Sequence, residues 1–348
     1  MATQILNRIG SEEEFFTLSQ AALSSKLEFS GRITDSTYRS ELLDKARAEM
    51  AFVESNKVRC LYFTDDSYPQ RLLECDDAPV MLYALGNAEI NAPHIISIVG
   101  TRNATVYGVN FINRLIDELS ERLDNTVIVS GLAFGCDITA HRRAMELGLP
   151  TIGVVAHGLD TLYPAEHRNY AARMVQNGGM IIPDYLHGTP PHRGNFLARN
   201  RIVAGMADCI VVAESAARRG GALHTAKLGM LYNRDVFALP GRTSDLYSGG
   251  CNMLIRTNVA HLIESADDLI TAMNWQCRPP EGEQHSLFPE LTPQQQLVID
   301  HIRLKGEAQI NSLTATLGLP TGQLMALLVE MEFKGLLLSL PGARYRLA

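Results

Sequence analysis

The chain lacks several features that would assign a function at once. Its 348 residues hold no Cys-x-x-Cys pair, and the six cysteines are scattered. They read as reduced, mostly buried thiols rather than a disulfide frame or a metal knuckle. His187 and His192 share a loop, but no Cys, Asp or Glu stands at ligand spacing around them, so no metal site is expected. No run of about 18 uncharged apolar residues exists, so no membrane span is expected. The start of the chain shows no basic segment leading into a long apolar one, so no secretory signal is expected and the cytoplasm is the default. There is no Gly-x-Gly-x-x-Gly and no Gly-x4-Gly-Lys-Ser/Thr, which disfavours dinucleotide enzymes and P-loop nucleotidases. No cofactor is expected.

Positive charge is also in deficit. Lys and Arg number 31 against 38 Asp and Glu, a formal net charge of -7. The deficit is not uniform. Between Pro190 and Lys227 six cations (Arg193, Arg199, Arg201, Arg218, Arg219, Lys227) face two carboxylates (Asp208, Glu214), a net of +4 that leaves -11 for the rest. A basic segment on an acidic protein can mark where a polyanion goes.

The texture changes along the chain. Residues 1–65 read as a small helical module, with Tyr38, Leu42, Leu43, Ala46, Met50 and Val53 on one side of a helix from Ser36. From residue 66 to 275, continuous apolar runs alternate with amphipathic helices. The runs are 94–100, 126–131, 151–156, 180–183, 209–213 and 235–239. Phe111, Leu115, Ile116 and Leu119 form the stripe of one helix. This alternation predicts an α/β fold with a mostly parallel sheet covered by helices on both faces. Residues 276–290, rich in Pro and Gly, read as a linker. Residues 291–348 predict three helices and a hairpin, the outline of a winged helix.

Nearly every strand runs into a Gly-containing loop, and ligands of open α/β sheets bind at such carboxyl-end loops. Gly100-Thr101-Arg102 follows the first strand and precedes a helix, whose free backbone N–H groups would attract an anion. Arg102 would serve there as a phosphate fork. Gly131 opens the second junction, Ser130 to His141. Asp137 is placed to cap its helix, and with His141 it reads as a local pair rather than a nucleophilic trio with Ser130. Arg193, Asn195 and Phe196 offer a cation and a stacking face. In Arg199-Asn200-Arg201, one arginine can tie strand-end carbonyls and the other can meet a phosphate. Gly220 and Gly221, with Thr225 beyond, form a third junction that allows close backbone approach. Asn252 belongs to the rim of the same edge.

These stretches, with Tyr68-Pro69, Tyr107-Gly108, Gly158-Leu-Asp160, Tyr163-Pro164, Pro240-Gly241 and Gly250 to Ile255, resemble the DprA/Smf family of DNA-processing proteins in order and spacing over about 68–265. The resemblance implies an extended Rossmann-like, doubly wound α/β fold and a single-stranded DNA-binding homodimer. It also implies that the protein protects incoming DNA and loads RecA recombinase during natural transformation, without catalysis. It assigns DNA contact to Arg102, Arg193 and the Arg199-Asn200-Arg201 motif. The N-terminal module would be SAM- or helix-hairpin-helix-like. Thr101 replaces the family's usual Ser, and Gly220-Gly221-Ala222-Leu223 replaces Ser-Gly-Ser-Leu. The competing enzyme reading is a nucleotide hydrolase of the lysine-decarboxylase-like type. Its Pro-Gly-Gly-x-Gly-Thr-x-x-Glu signature is absent here, since Arg242-Thr243-Ser244 follows Pro240-Gly241. A transcription factor acting through the winged helix is weaker, because Glu330 and Glu332 suit a duplex groove poorly.

Overall fold

The computed structural model describes residues 5, 8–217, 220–278, 291–340 and 342–347. The chain forms two compact units, Met1–Arg278 and Pro279–Ala348. Arg218, Arg219, Pro341 and most of the linker read from the sequence lie outside the described residues.

The larger unit is built on one nine-stranded sheet. Its strands are β1 (Arg59–Tyr62), β2 (Met81–Gly86), β3 (His94–Gly100), β4 (Thr126–Ser130), β5 (Thr151–Val154), β6 (Met180–Ile182), β7 (Cys209–Glu214), β8 (Asp235–Ala238) and β9 (His261–Leu262). The spatial order is β1-β2-β6-β5-β4-β3-β7-β8-β9. The seven strands from β6 to β9 run parallel, and β1 and β2 close one edge as an antiparallel pair.

The continuous apolar runs are explained by burial on both faces. Along β3, Ile95 joins one core and Ile96 and Ile98 the other. Along β7, Ile210 and Val212 point one way, and Cys209, Val211 and Ala213 the other. This is the period of two expected of a strand, with neither face left to water. Helices α8 (Arg193–Gly205) and α9 (Gly221–Leu231) pack on the first face. Helices α5 (Val106–Arg122) and α6 (Cys136–Glu146) pack on the second, and Phe111, Leu115, Ile116 and Leu119 are all buried there.

β3 is the turning point of the topology. Its neighbours are β4, next in sequence, and β7, which comes 109 residues after its end by the difference between Gly100 and Cys209. The chain leaves β3 toward one edge and β7 toward the other. Their carboxyl-end loops diverge and leave a crevice between them, the topological switch point where doubly wound sheets bind ligands.

Before this sheet lie α1 (Glu12–Thr17), α2 (Gln20–Leu27) and α3 (Ser36–Ser55). The side of α3 expected to be apolar is only partly the buried one. Val53 is buried and Tyr38, Leu42 and Leu43 are half-buried, but Ala46 and Met50 are exposed, and the polar Arg39 and Glu49 are buried. Arg39 is buried because its Nη2 donates to Leu18 O at 2.7 Å and its Nη1 donates to Phe15 O, satisfying carbonyls near the end of α1.

The smaller unit has helices α12 (Pro293–Lys305), α13 (Ile310–Leu317) and α14 (Thr321–Phe333), and a three-stranded sheet of β10 (Ala308–Gln309), β12 (Arg344–Leu347) and β11 (Leu337–Leu340). Gly318 ends α13 with φ +65°, the left-handed turn expected of it. This is a winged helix. Leu324, Leu328 and Met331 face its core. All six cysteines are free, four of them buried, with Cys60 half-buried and Cys277 exposed. Among the described residues no single helix is long and apolar enough to cross a membrane.

Candidate nucleic-acid interface

The crevice at the switch point is a cavity of 1160 Å³. One wall is a face of α8: Arg193, Phe196, Asn200 and Val203 recur at three- and four-residue spacing and all line it. His192 starts this helix, its Nδ1 accepting from Gly194 N at 3.2 Å. The opposite wall is the loop after β3, where Gly100, Thr101 and Arg102 line the cavity. Arg102 reaches back across it, placing its Cζ 5.6 Å from the centroid of Phe196. That distance is within cation–π range. Tyr163 is tilted against Phe196 at 5.5 Å and is 42% exposed. Cation and aromatic faces therefore sit together at the mouth.

The floor is polar and buried. Arg199 is 5% exposed, and its Nη1 donates to Val154 O at the end of β5. It is the arginine that ties a strand-end carbonyl. Burial lowers its pKa, with Asp137 opposing that shift. Burial raises the Asp137 carboxyl, with the Arg199 charge opposing. Asn200 Nδ2 donates to Gly221 O at 3.3 Å, joining α8 to the start of α9. Thr225 Oγ1 donates to the same carbonyl at 3.1 Å.

Two of the helix starts beside the crevice differ, and one changes the sequence reading. The start of α5 carries its own cap, Thr105 Oγ1 accepting from Gly108 N at 3.4 Å, and its own anion beside it. The buried carboxylate of Glu214, at the end of β7, accepts from Thr105 N at 2.8 Å and from Thr105 Oγ1 at 2.6 Å. Gly108 gives that carboxylate room, since a Cβ there would lie 2.5 Å from Glu214 Oε2. The chain itself supplies the anion. Among the described residues the start of α9 has no such cap. Gly220 makes no side-chain cap bond, and Gly220, Gly221 and Ala222 line the cavity. This is the helix start that remains open to an anion.

Further expectations change. Arg201 does not line the cavity; its Nη2 donates to Asp184 Oδ2 at 2.6 Å, because it lies about 100° around the helix from Asn200. Asn195 also lies off the lining face. Asn252 accepts from Gly241 N at 3.1 Å and donates to Gly241 O at 2.8 Å, so it clips a loop and does not meet the cavity. Asp137 is not the helix cap, which is Gly135; it accepts from Ala133 N at 3.3 Å. Nor do Asp137 and His141 pair, since His141 Nδ1 bonds Thr151 Oγ1 at 2.7 Å. Burial pulls the His141 pKa down to about 3, and Ser130 Oγ donates to Ile98 O at 2.5 Å. His141, the base such a trio would need, is thus committed to Thr151. Gly131 does line the cavity, with Arg102, Arg193, Phe196, Arg199, Asn200, Gly220, Gly221 and Thr225.

Sequence reasoning missed Tyr163, Asn103 and Tyr247 as lining residues. Tyr163 had a signal in the Tyr163-Pro164 pair. Tyr247, bonded through its hydroxyl by Asn103 Nδ2 at 3.2 Å, had none. Leu132 is buried at φ +57°, and His167 Nδ1 bonds its carbonyl oxygen at 2.8 Å. A non-glycine residue held there stores strain of about 1–3 kcal/mol, a feature that clusters at binding sites.

A doubly wound sheet with arginines, an aromatic face and one open helix start at its switch point defines an α/β protein equipped to hold an anionic ligand without a cofactor fingerprint. A family model described as DNA recombination-mediator protein A matches residues 59–274, and one described as DprA winged helix domain matches residues 283–343. The chain belongs to the DprA/Smf family of DNA-processing proteins. It is 37% identical to the DNA processing protein DprA of Streptococcus pneumoniae over 217 residues, 62% of this chain and 75% of that one. It is 31% identical to the protein Smf of Escherichia coli, covering 80% and 75%. The solved S. pneumoniae structure superposes with a TM-score of 0.60 at 30% identity, over 77% of this chain and 96% of that one. The DNA processing protein A of Helicobacter pylori, solved for its single-stranded DNA binding mode, gives 0.55 at 30% identity, over 62% and 95%.

Proposed function

We propose that the crevice holds the phosphate backbone of single-stranded DNA. The chain acts, without catalysis, as a mediator that protects such DNA and loads RecA recombinase onto it, working as a homodimer. The observation that carries the DNA reading is the stacking of Arg102 over Phe196 in the same cavity as Arg193 and the uncapped start of α9. Arginine and bare amides meet phosphates irrespective of sequence, and Phe196 with Tyr163 gives unpaired bases a face to stack on. A duplex keeps its bases stacked on one another and cannot use that face. The relative from H. pylori supports the same ligand, and family membership supports the RecA and dimer parts of the reading.

A salt titration of oligonucleotide binding, single strand against duplex and with and without RecA, tests this. Single strands are expected to bind more tightly, with log K falling linearly in log salt, and RecA filaments are expected to form faster on the protein-bound strand. Equal affinity for duplex, or no binding at low salt, would overturn the DNA reading. Sedimentation of the free protein as a monomer at micromolar concentration would overturn the dimer.

A further inference from the structure

We infer that α3 of the N-terminal module positions the cationic arm of the crevice through Glu49. This inference rests on the DNA-binding reading above. Glu49 is 5% exposed in a helix that is otherwise largely solvated. A buried carboxylate is costly unless it is hydrogen-bonded. The Glu49 partners all come from one residue of one distant loop. His187 N donates to Oε2 at 3.0 Å and Oε1 at 3.2 Å, and His187 Nδ1 lies 2.5 Å from Oε2. Phe52, one turn along α3, stacks on the same imidazole with centroids 4.9 Å apart and planes at 9°. The helix thus grips His187 by its backbone and its ring.

That loop leads directly into the wall of the crevice. It is tied again by Gly188 N donating to Asp160 Oδ1 at 2.6 Å, and by Gly158 N donating to Thr189 O at 3.0 Å. Pro190 and Pro191 follow, with fixed φ angles and little slack. His192 then caps α8, and Arg193 is its first residue. Arg193 lines the cavity and is exposed, and among the described residues it makes no side-chain hydrogen bond or ion pair. Its guanidinium is therefore placed only through its backbone, which the first turn of α8 and the loop before it set together. Removing Glu49 strands the His187 N–H in a part-buried site and frees the loop. The arm must then be ordered when the ligand arrives, which lowers affinity. Glu49 is a positioning residue and touches no ligand.

The test uses the full chain with Glu49→Ala, Glu49→Gln, Arg193→Ala and the double variant Glu49→Ala/Arg193→Ala. Amide hydrogen exchange is read first, without DNA. Glu49→Ala is expected to speed exchange across residues 186–194 and to leave strands β3 and β7 protected. Binding of an oligothymidylate is read second. Glu49→Ala is expected to weaken it about tenfold, and to add almost nothing once Arg193 is already Ala. Glu49→Gln keeps the size and one acceptor oxygen, and is expected to fall between wild type and Glu49→Ala in both readings; it keeps the test available if Glu49→Ala unfolds. Unchanged loop exchange, or fully additive losses in the double variant, would overturn the inference. If wild type binds no oligonucleotide, the DNA reading fails, while loop exchange still decides whether Glu49 holds the arm.

Discussion

Arg199 and Asp137 face each other across Gly131. A Cβ on Gly131 would overlap Arg199 Nη1 and lie 2.7 Å from Asp137 Oδ2. The floor of the crevice is therefore closed by a buried cation and a buried carboxyl group with only a glycine's width between them. Gly131→Ala forces one of the two out of place, at a cost of about 1–3 kcal/mol. Urea unfolding followed by circular dichroism should show a lower midpoint; an unchanged midpoint would mean that the floor yields freely.

Arg102 and Phe196 separate the two halves of the proposed interaction. Arg102→Ala should weaken single-strand binding at every sequence and shallow the salt dependence by about 0.7 in log–log slope, one phosphate contact for a single strand. Phe196→Leu should weaken binding by about 1–3 kcal/mol and leave the slope unchanged, since stacking releases no counterion. Equal slopes in wild type and Arg102→Ala would remove Arg102 from the backbone contact.

Glu214→Gln tests the internal cap of α5. The amide offers one acceptor oxygen where the carboxylate satisfies both Thr105 N and Thr105 Oγ1, and it removes the negative charge from the helix start. A loss of about 1–3 kcal/mol in stability is expected. Thermal unfolding of the variant matching wild type would show that water takes over the cap.

His141 makes stability fall on the acid side. Its pKa is about 3 in the fold against 6.5 when unperturbed. Between those values the unfolded chain binds a proton that the folded chain refuses. Stability should drop as pH falls below 6.5 and level off below 3. The slope approaches about 1.4 kcal/mol per pH unit for one proton. Comparing wild type with His141→Gln between pH 6.5 and 5, above the range of ordinary carboxyl groups, isolates this effect: the variant's curve should be flatter.

Deleting residues 290–348 should leave single-strand affinity within about tenfold, or 1.4 kcal/mol, of wild type. The recognition-helix position of this winged helix, α14, exposes Met325, Val329 and Phe333, the last at 90%, rather than a basic face. A larger loss in a direct titration would give the unit a share of the DNA contact.

Much of this architecture was legible beforehand. The six parallel strands read from apolar runs all formed within one or two residues of their expected ends, because burial on both faces leaves a signal no loop imitates. The grouping of Arg102, Arg193, Phe196, Asn200 and the Gly220-Gly221 pair also followed from strand-end position. What stayed hidden depended on long-range pairing. Glu214 looks like an ordinary polar end to an apolar strand until Thr105, 109 residues away, is brought against it. Arg201 and Arg199 are two positions apart with the same chemistry, and only the packing of α8 decides which faces the cavity. Glu49 and Arg39 sit where periodicity favours Met50 and Ala46, because paired polar groups can be buried at positions an apolar count assigns to solvent.

The capture of the α5 start by Glu214 also governs how the crevice behaves in different media. A carboxylate tethered to its own strand cannot be dialysed away or outcompeted by sulfate, so the group facing that helix start stays with the fold whatever anions the buffer holds. Among the described residues, the seat at Gly220 to Ala222 has no such tethered group and is left to anions from the surroundings.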